Sequence, residues 1–266
     1  MVTPRFDSAK DFSEGLAAVR IGSQVGYIDS KGECMIPLRF QAAGNFSEGL
    51  ATVNENNLWG YINKLGEIVV TPRFDSARDF SEGLAVVRIG SKVGYIDSTG
   101  ELVIPLQFQD AGDFSEGLAK IKSNNKWSYI NHIGEIIIAP QFSKVDDFKE
   151  NLAPVRKWNI WGYVNRSGKI VIPFQYNEVN KFTGRLARVN FNFHWVYINQ
   201  TGEIIASDKL DYRINLTFFP LNWLNMGNKI LYKSEVIFGI MAFILYKCVI
   251  IPWSYVVEKV KVPFRD

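Results

Sequence analysis

Five glutamates recur at a spacing of 34 residues: Glu14, Glu48, Glu82, Glu116 and Glu150. A carboxylate row along a repeated structure could hold cations, meet a basic partner, or supply an acid–base pair for glycoside hydrolysis. Each Glu stands in a Ser-Glu-Gly turn or its equivalent, where solvation or capping of local N–H groups is the expected role, ahead of catalysis. Trp59, Trp127, Trp161 and Trp195 form a second row, each two residues before Tyr61, Tyr129, Tyr163 and Tyr197. Residues two apart in a strand share one face. Packing between repeats is the expected role of this row, and stacking platforms for sugar rings are the alternative. These nine glutamates and tryptophans are the candidate binding surface.

Little else suggests chemistry. His132 and His194 occupy positions that vary from copy to copy, and both are expected to be solvated turn residues. Cys34 stands where other copies carry Ile or Leu, so a small core hydrophobe is expected there. Two cysteines are too few for a disulfide framework or a zinc site, and the chain has no Gly-rich phosphate loop. No enzyme activity, metal or cofactor is expected.

The formal net charge of +3 is carried by residues 210–266, with seven Lys/Arg against four Asp/Glu. Residues 1–209 hold 23 of each and are neutral. Nucleic-acid binding needs clustered Lys/Arg to displace counterions, so that partner is not expected. The first residues show no charged segment followed by an apolar run, hence no signal peptide. A cytoplasmic location is the default expectation.

The other recurrent residues repeat without insertion or deletion. Phe12, Phe46, Phe80, Phe114, Phe148 and Phe182 are 34 residues apart, as are Gly32 through Gly202 and Tyr27 through Tyr197. A 68-residue period lies on top: residues 3–33 match 71–101 at 27 of 31 positions, whereas 12–33 match 46–67 at 12 of 22. Duplication of a two-copy block accounts for both.

A 34-residue period also suits helix-pair repeats, but those need apolar residues at i, i+3, i+4 and i+7 over a dozen residues. Gly and Pro interrupt each copy too often, and the stretches between are rich in Val, Ile, Tyr and Phe. Each copy reads as short strands and tight turns. Strands are expected over Leu16–Ile21, Val25–Asp29 and Glu33–Pro37, with Asp29-x-x-Gly32 as an Asx turn and a short fourth strand towards Phe46. One such meander cannot cover its own faces, so neighbours must stack. The fold class is all-β: a tandem array of antiparallel meanders. An open solenoid or superhelical stack is favoured because the copy is short for a propeller blade, with a closed propeller-like ring as the alternative.

Phe-Ser-Glu-Gly-Leu-Ala, then Trp-Gly-Tyr-Ile, then Gly-Glu-Ile-Val and a closing Phe, best seen from Phe46 to Phe74, resembles the bacterial WG (KWG) repeat family over roughly residues 1–205. Departures are Val25 and Val93 for the Trp, Ser128 and Val196 for the Gly, and Arg185 for the turn Gly. The resemblance implies a β-repeat, often similar to cell-wall-binding hairpin repeats, with no activity to carry over to particular residues. The expectation is a module binding a protein or peptide partner, with a cell-envelope or glycan ligand as the alternative.

Two domains are expected: the array over 1–207 and a hydrophobic tail over 208–266. Met1-Val-Thr-Pro-Arg-Phe aligns with Val69-Val-Thr-Pro-Arg-Phe, inside a third strand, which suggests a start upstream or a gene fragment. The tail reads as a frame-shift product, a membrane anchor through 236–257, or a capping segment. Lys247 and Pro252 weigh against the span.

Overall fold

A computed structural model describes residues 6–207; the tail and its candidate span lie outside them. Among the described residues every regular element is a β-strand. They form six four-stranded antiparallel sheets, each built from one consecutive stretch with its strands adjacent in chain order. The first sheet comprises β1 (Ser8–Ala9), β2 (Ala17–Ile21), β3 (Gln24–Ile28) and β4 (Cys34–Phe40). The second comprises β5 (Ala42–Ser47), β6 (Leu50–Glu55), β7 (Leu58–Asn63) and β8 (Ile68–Phe74). The three strands read from the sequence correspond to β2, β3 and β4, except that β4 does not close at Pro37 but continues to Phe40, and the expected short fourth strand opens the next sheet.

The turns are built as their residues dictate. Asp29 Oδ1 accepts the amides of Lys31 and Glu33, and Asn63 Oδ1 those of Leu65 and Glu67. Gly66, at a φ of 81°, closes its turn in a conformation that side chains disfavour.

The Gly before each Tyr has a different cause. Val25 pairs with Phe40 and Tyr27 with Ile36, so Pro37, Leu38 and Arg39 bulge opposite Gly26 alone. The bulge presses its backbone onto that glycine. A Cβ on Gly94 would lie 2.6 Å from the Ile104 carbonyl oxygen, and one on Gly162 would lie 2.7 Å from that of Ile172. Proline fits here because the outer strand is an edge and needs no further N–H donor. Val196 is tolerated because the last outer strand, Ile204–Ser207, lacks the proline and pairs Val196 with Ser207 and Tyr197 with Ala206 without that bulge. Ser128 faces the usual bulge, fully buried, and its Oγ finds no hydrogen-bond partner among the described residues.

The core lies between sheets as much as within them. Tyr27, Tyr61, Tyr95, Tyr129 and Tyr163 are wholly buried. Each packs its ring at a tilt against the Phe of the following copy, from Tyr27–Phe46 to Tyr163–Phe182, with centroids 4.8–5.0 Å apart. Such ring pairs add about 0.5–1.5 kcal/mol beyond area burial. Each hydroxyl donates to a backbone carbonyl of the next sheet, as Tyr95 does to Gly112 at 2.8 Å, and burial pushes its pKa well up.

The array is curved. Lys10 of the first sheet and Asp113 of the fourth border one cavity, whereas a straight stack at about 10 Å per sheet would hold them roughly 30 Å apart. The short first strands therefore turn towards a shared inner space. The contact that seals each junction is not made between the sixth and first sheets: Phe12 is 53% exposed and Tyr197 is only half-buried.

Candidate functional site

The glutamate row sits at the turns between the first and second strands of the first five sheets. Glu48 and Gly49 both have positive φ, 53° and 84°, the geometry of a two-residue hairpin turn. Glutamate is a poor choice for that conformation, at about 1–2 kcal/mol, unless its side chain has work elsewhere. It does. Glu48 accepts the amide of Gly83 at 2.9 Å, Glu82 that of Gly117 at 2.9 Å, and Glu116 that of Asn151 at 2.8 Å. Glu14 reaches Gly49 and Glu150 reaches Arg185 in the same way. Capping of local N–H groups is thereby corrected to capping of the next copy's turn. The local amides are already used, since Ser81 and Leu84 bond each other in both directions. Serine hydroxyls reinforce the link, as Ser47 Oγ donates to the Phe80 carbonyl at 2.8 Å.

The tryptophan row is half-buried. Trp59 and Trp127 pack against clusters that include Phe74 and Phe80, and Phe142 and Phe148, respectively, and Trp161 packs against one containing Tyr176. Trp195 is half-buried under the Arg188 guanidinium, 4.5 Å from its ring centroid. Only Trp59 also borders the inner cavity among the described residues.

That cavity, of about 370 Å³, is lined by Lys10, Thr52, Trp59, Arg78, Asp79 and Asp113, with Ala43, Gly44 and Ala77 giving it room. Gly44 matters because a Cβ there would come within 2.9 Å of the Asp79 carboxylate. Partial burial raises the pKa of Asp79, against the opposing pull of Lys10. Burial also raises Asp113, opposed by Arg78, which lies 3.6 Å away. Asp147 occupies the equivalent position in the fifth sheet. Burial would raise it too, but Lys181 at 2.8 Å and Lys120 at 2.9 Å outweigh that and hold it low. None of these aspartates stood out in the sequence. The available signal was Asp79, Asp113 and Asp147 at 34-residue spacing one place before the marker Phe.

The repeated Trp-Gly-Tyr strand, its bulge and the turn to the next copy are also a sequence signature. The profile of the WG containing repeat matches residues 1–24, 26–59, 59–92, 94–127, 127–159 and 161–192. The chain belongs to the WG-containing repeat family. No curated protein sequence matches it. Among solved structures, the WG array is similar to a crystal structure of the eukaryotic initiation factor, at 12% identity and a TM-score of 0.53, covering 77% of this chain and 67% of that one. It also matches Hsv2p of Kluyveromyces lactis at 11% identity and a TM-score of 0.47, covering 86% and 84%. The first likeness bears on fold alone.

Two further residues of the WG repeats differ from expectation. Cys34 is exposed, not a core residue. It opens an outer strand, where the equivalent Ile68, Leu102, Ile136 and Ile170 are 40–56% exposed, so an aliphatic pattern there does not report burial. His132 is not simply solvated: its ring stacks on Phe114 at 4.2 Å, and Nε2 lies 3.4 Å from Glu82. His194 is exposed. Among the described residues no three His, Cys, Asp or Glu side chains are grouped to hold a metal ion, and no helix is long and apolar enough to cross a membrane.

Proposed function

We propose that the WG array is a non-catalytic module that binds a protein or peptide partner. The observation that carries this reading is a repeated exposure: in five of the six sheets the outer strand opens with two consecutive exposed residues, the pairs 34/35, 68/69, 102/103, 136/137 and 170/171. Scattered exposed aliphatics need no explanation, but exposure at the same two places in copy after copy is unlike scatter. The glutamate row supports a structural role over catalysis, because its carboxylates are spent on backbone amides of neighbouring turns. The neutral charge of residues 1–209 argues against nucleic acid. Capture by the immobilised full chain tests the reading: retention of one protein at stoichiometric level from a cell lysate is expected.

A glycan ligand is the second reading. It is favoured by the inner cavity, where Trp59 lies beside Thr52, Asp79, Asp113 and Arg78, an apolar face with polar groups around it. Retention on purified wall sacculi, competed by soluble wall fragments and accompanied by quenching of tryptophan fluorescence, would replace the first reading with this one.

A further inference from the structure

We infer that the outer rim of the array is a continuous docking surface for a basic, aliphatic-rich peptide segment of a partner protein. The inference rests on the protein-binding reading above and adds the surface and the chemistry of what it takes.

The exposed pairs are linked into one surface. From the second sheet on, the Asx turn of each sheet lies against the outer strand of the sheet before it. A Cβ on Gly66 would touch Ile36, one on Gly134 would touch Ile104, and one on Gly202 would touch Ile172. Arg39 and Arg73 fasten this arrangement by donating to the Gly66 and Gly100 carbonyls at 2.6 Å. Exposed pair, next turn and next exposed pair therefore follow one another around the rim. Leu65 and Ile133, 78% and 70% exposed at the turn tips, extend the apolar surface between pairs.

The charge beside four of the five pairs is acidic. Glu33, Glu67, Glu101, Glu135 and Glu203 directly precede the outer strands, with Lys169 as the exception in the fifth sheet. Glu67, Glu135 and Glu203 accept from the side-chain amides of Asn63, Asn131 and Asn199. Among the described residues none of the five forms an ion pair. This differs from Glu14, which pairs with Lys64 at 3.0 Å. The aliphatic pairs 68/69, 102/103 and 136/137 each follow a carboxylate that forms no ion pair among the described residues, and they complement a segment in which Val or Leu alternates with Lys or Arg. Several equal sites on one chain also let a weak single contact become a firm one.

The test uses the full chain and labelled synthetic peptides followed by fluorescence anisotropy. An alternating Lys–Val peptide is expected to bind, more weakly as salt rises, and Glu–Val and Lys–Ser peptides are expected not to. Replacing Ile136, Ile137, Leu102 and Val103 together by Ser should weaken Lys–Val binding by about tenfold or more, given how avidity multiplies single sites. Glu101→Lys with Glu135→Lys should do the same, and unchanged circular dichroism would show that both variants remain folded. Equal binding of Lys–Val and Glu–Val peptides, or unaltered binding by the folded variants, overturns the rim inference. Capture from lysate separates it from the broader reading. A protein retained equally by parent and rim variants leaves partner binding standing and removes the rim, whereas no protein or peptide retained by any form removes both.

Discussion

The interior junctions and the two ends of the array use the same sequence marks with different results. Between neighbouring sheets each buried tyrosine closes on the next copy's phenylalanine, whereas Phe12 stands 53% exposed within the same Phe-Ser-Glu-Gly-Leu-Ala string as buried Phe46. Phe46 is covered because Tyr27 precedes it by one copy. The difference teaches that stability here belongs to pairs of copies, as expected of a one-dimensional array, and that a motif does not fix its own environment.

The largest expected effect breaks an interior seal. Phe148→Ala should cost about 3–5 kcal/mol, while Phe12→Ala should stay within about 0.5 kcal/mol, as for a surface site; urea denaturation of both variants measures the contrast. Gly94→Ala should cost about 1–3 kcal/mol as an overpacked site, since its Cβ would lie 2.6 Å from the Ile104 carbonyl oxygen. A similar melting temperature for this variant and the parent would show that the bulge yields. Tyr95→Phe leaves the Gly112 carbonyl without its partner and should cost about 1–3 kcal/mol in the same denaturation experiment. Ser128→Gly should instead raise stability by up to about 1 kcal/mol, because it removes a buried hydroxyl that finds no partner.

The smallest effect concerns acid. Asp147 has a lowered pKa in the fold. Its contribution is present above the unfolded value and disappears as pH falls through the folded one. Asp113 is raised, so its ionisation opposes folding once pH climbs past the unfolded value. Asp147→Asn should therefore flatten the acid limb of stability against pH, whereas Asp113→Asn should lift the neutral side. Stability measured across the carboxylate range reads both.

Much of this was open to reading from residue types alone. The Asx turns, the three recurrent strands and the shared spacing of Tyr and Phe follow from local chemistry and periodicity. The glutamate links were not visible, because an amide in the next copy looks the same in sequence as one in the same copy. Glutamate at a position suited to Asn or Gly was the unused hint. Cys34 misled because Ile and Leu at equivalent places suggested a core, although those places open an unpaired edge. The cavity depends on the angle between sheets, so nothing in the spacing of Lys10, Trp59 and Asp113 could bring them together.

The forward-reaching glutamate also sets how such a chain can change length. Every interior copy carries both a plug, its carboxylate, and a socket, the turn amide that receives its predecessor's. Gly184 stands where the sixth plug would be, so that copy receives without offering. Excising or inserting a 68-residue cassette among the others would rejoin plug to socket with no new joint to invent. Relatives differing by whole cassettes should therefore fold with the same joints and simply offer more or fewer of them.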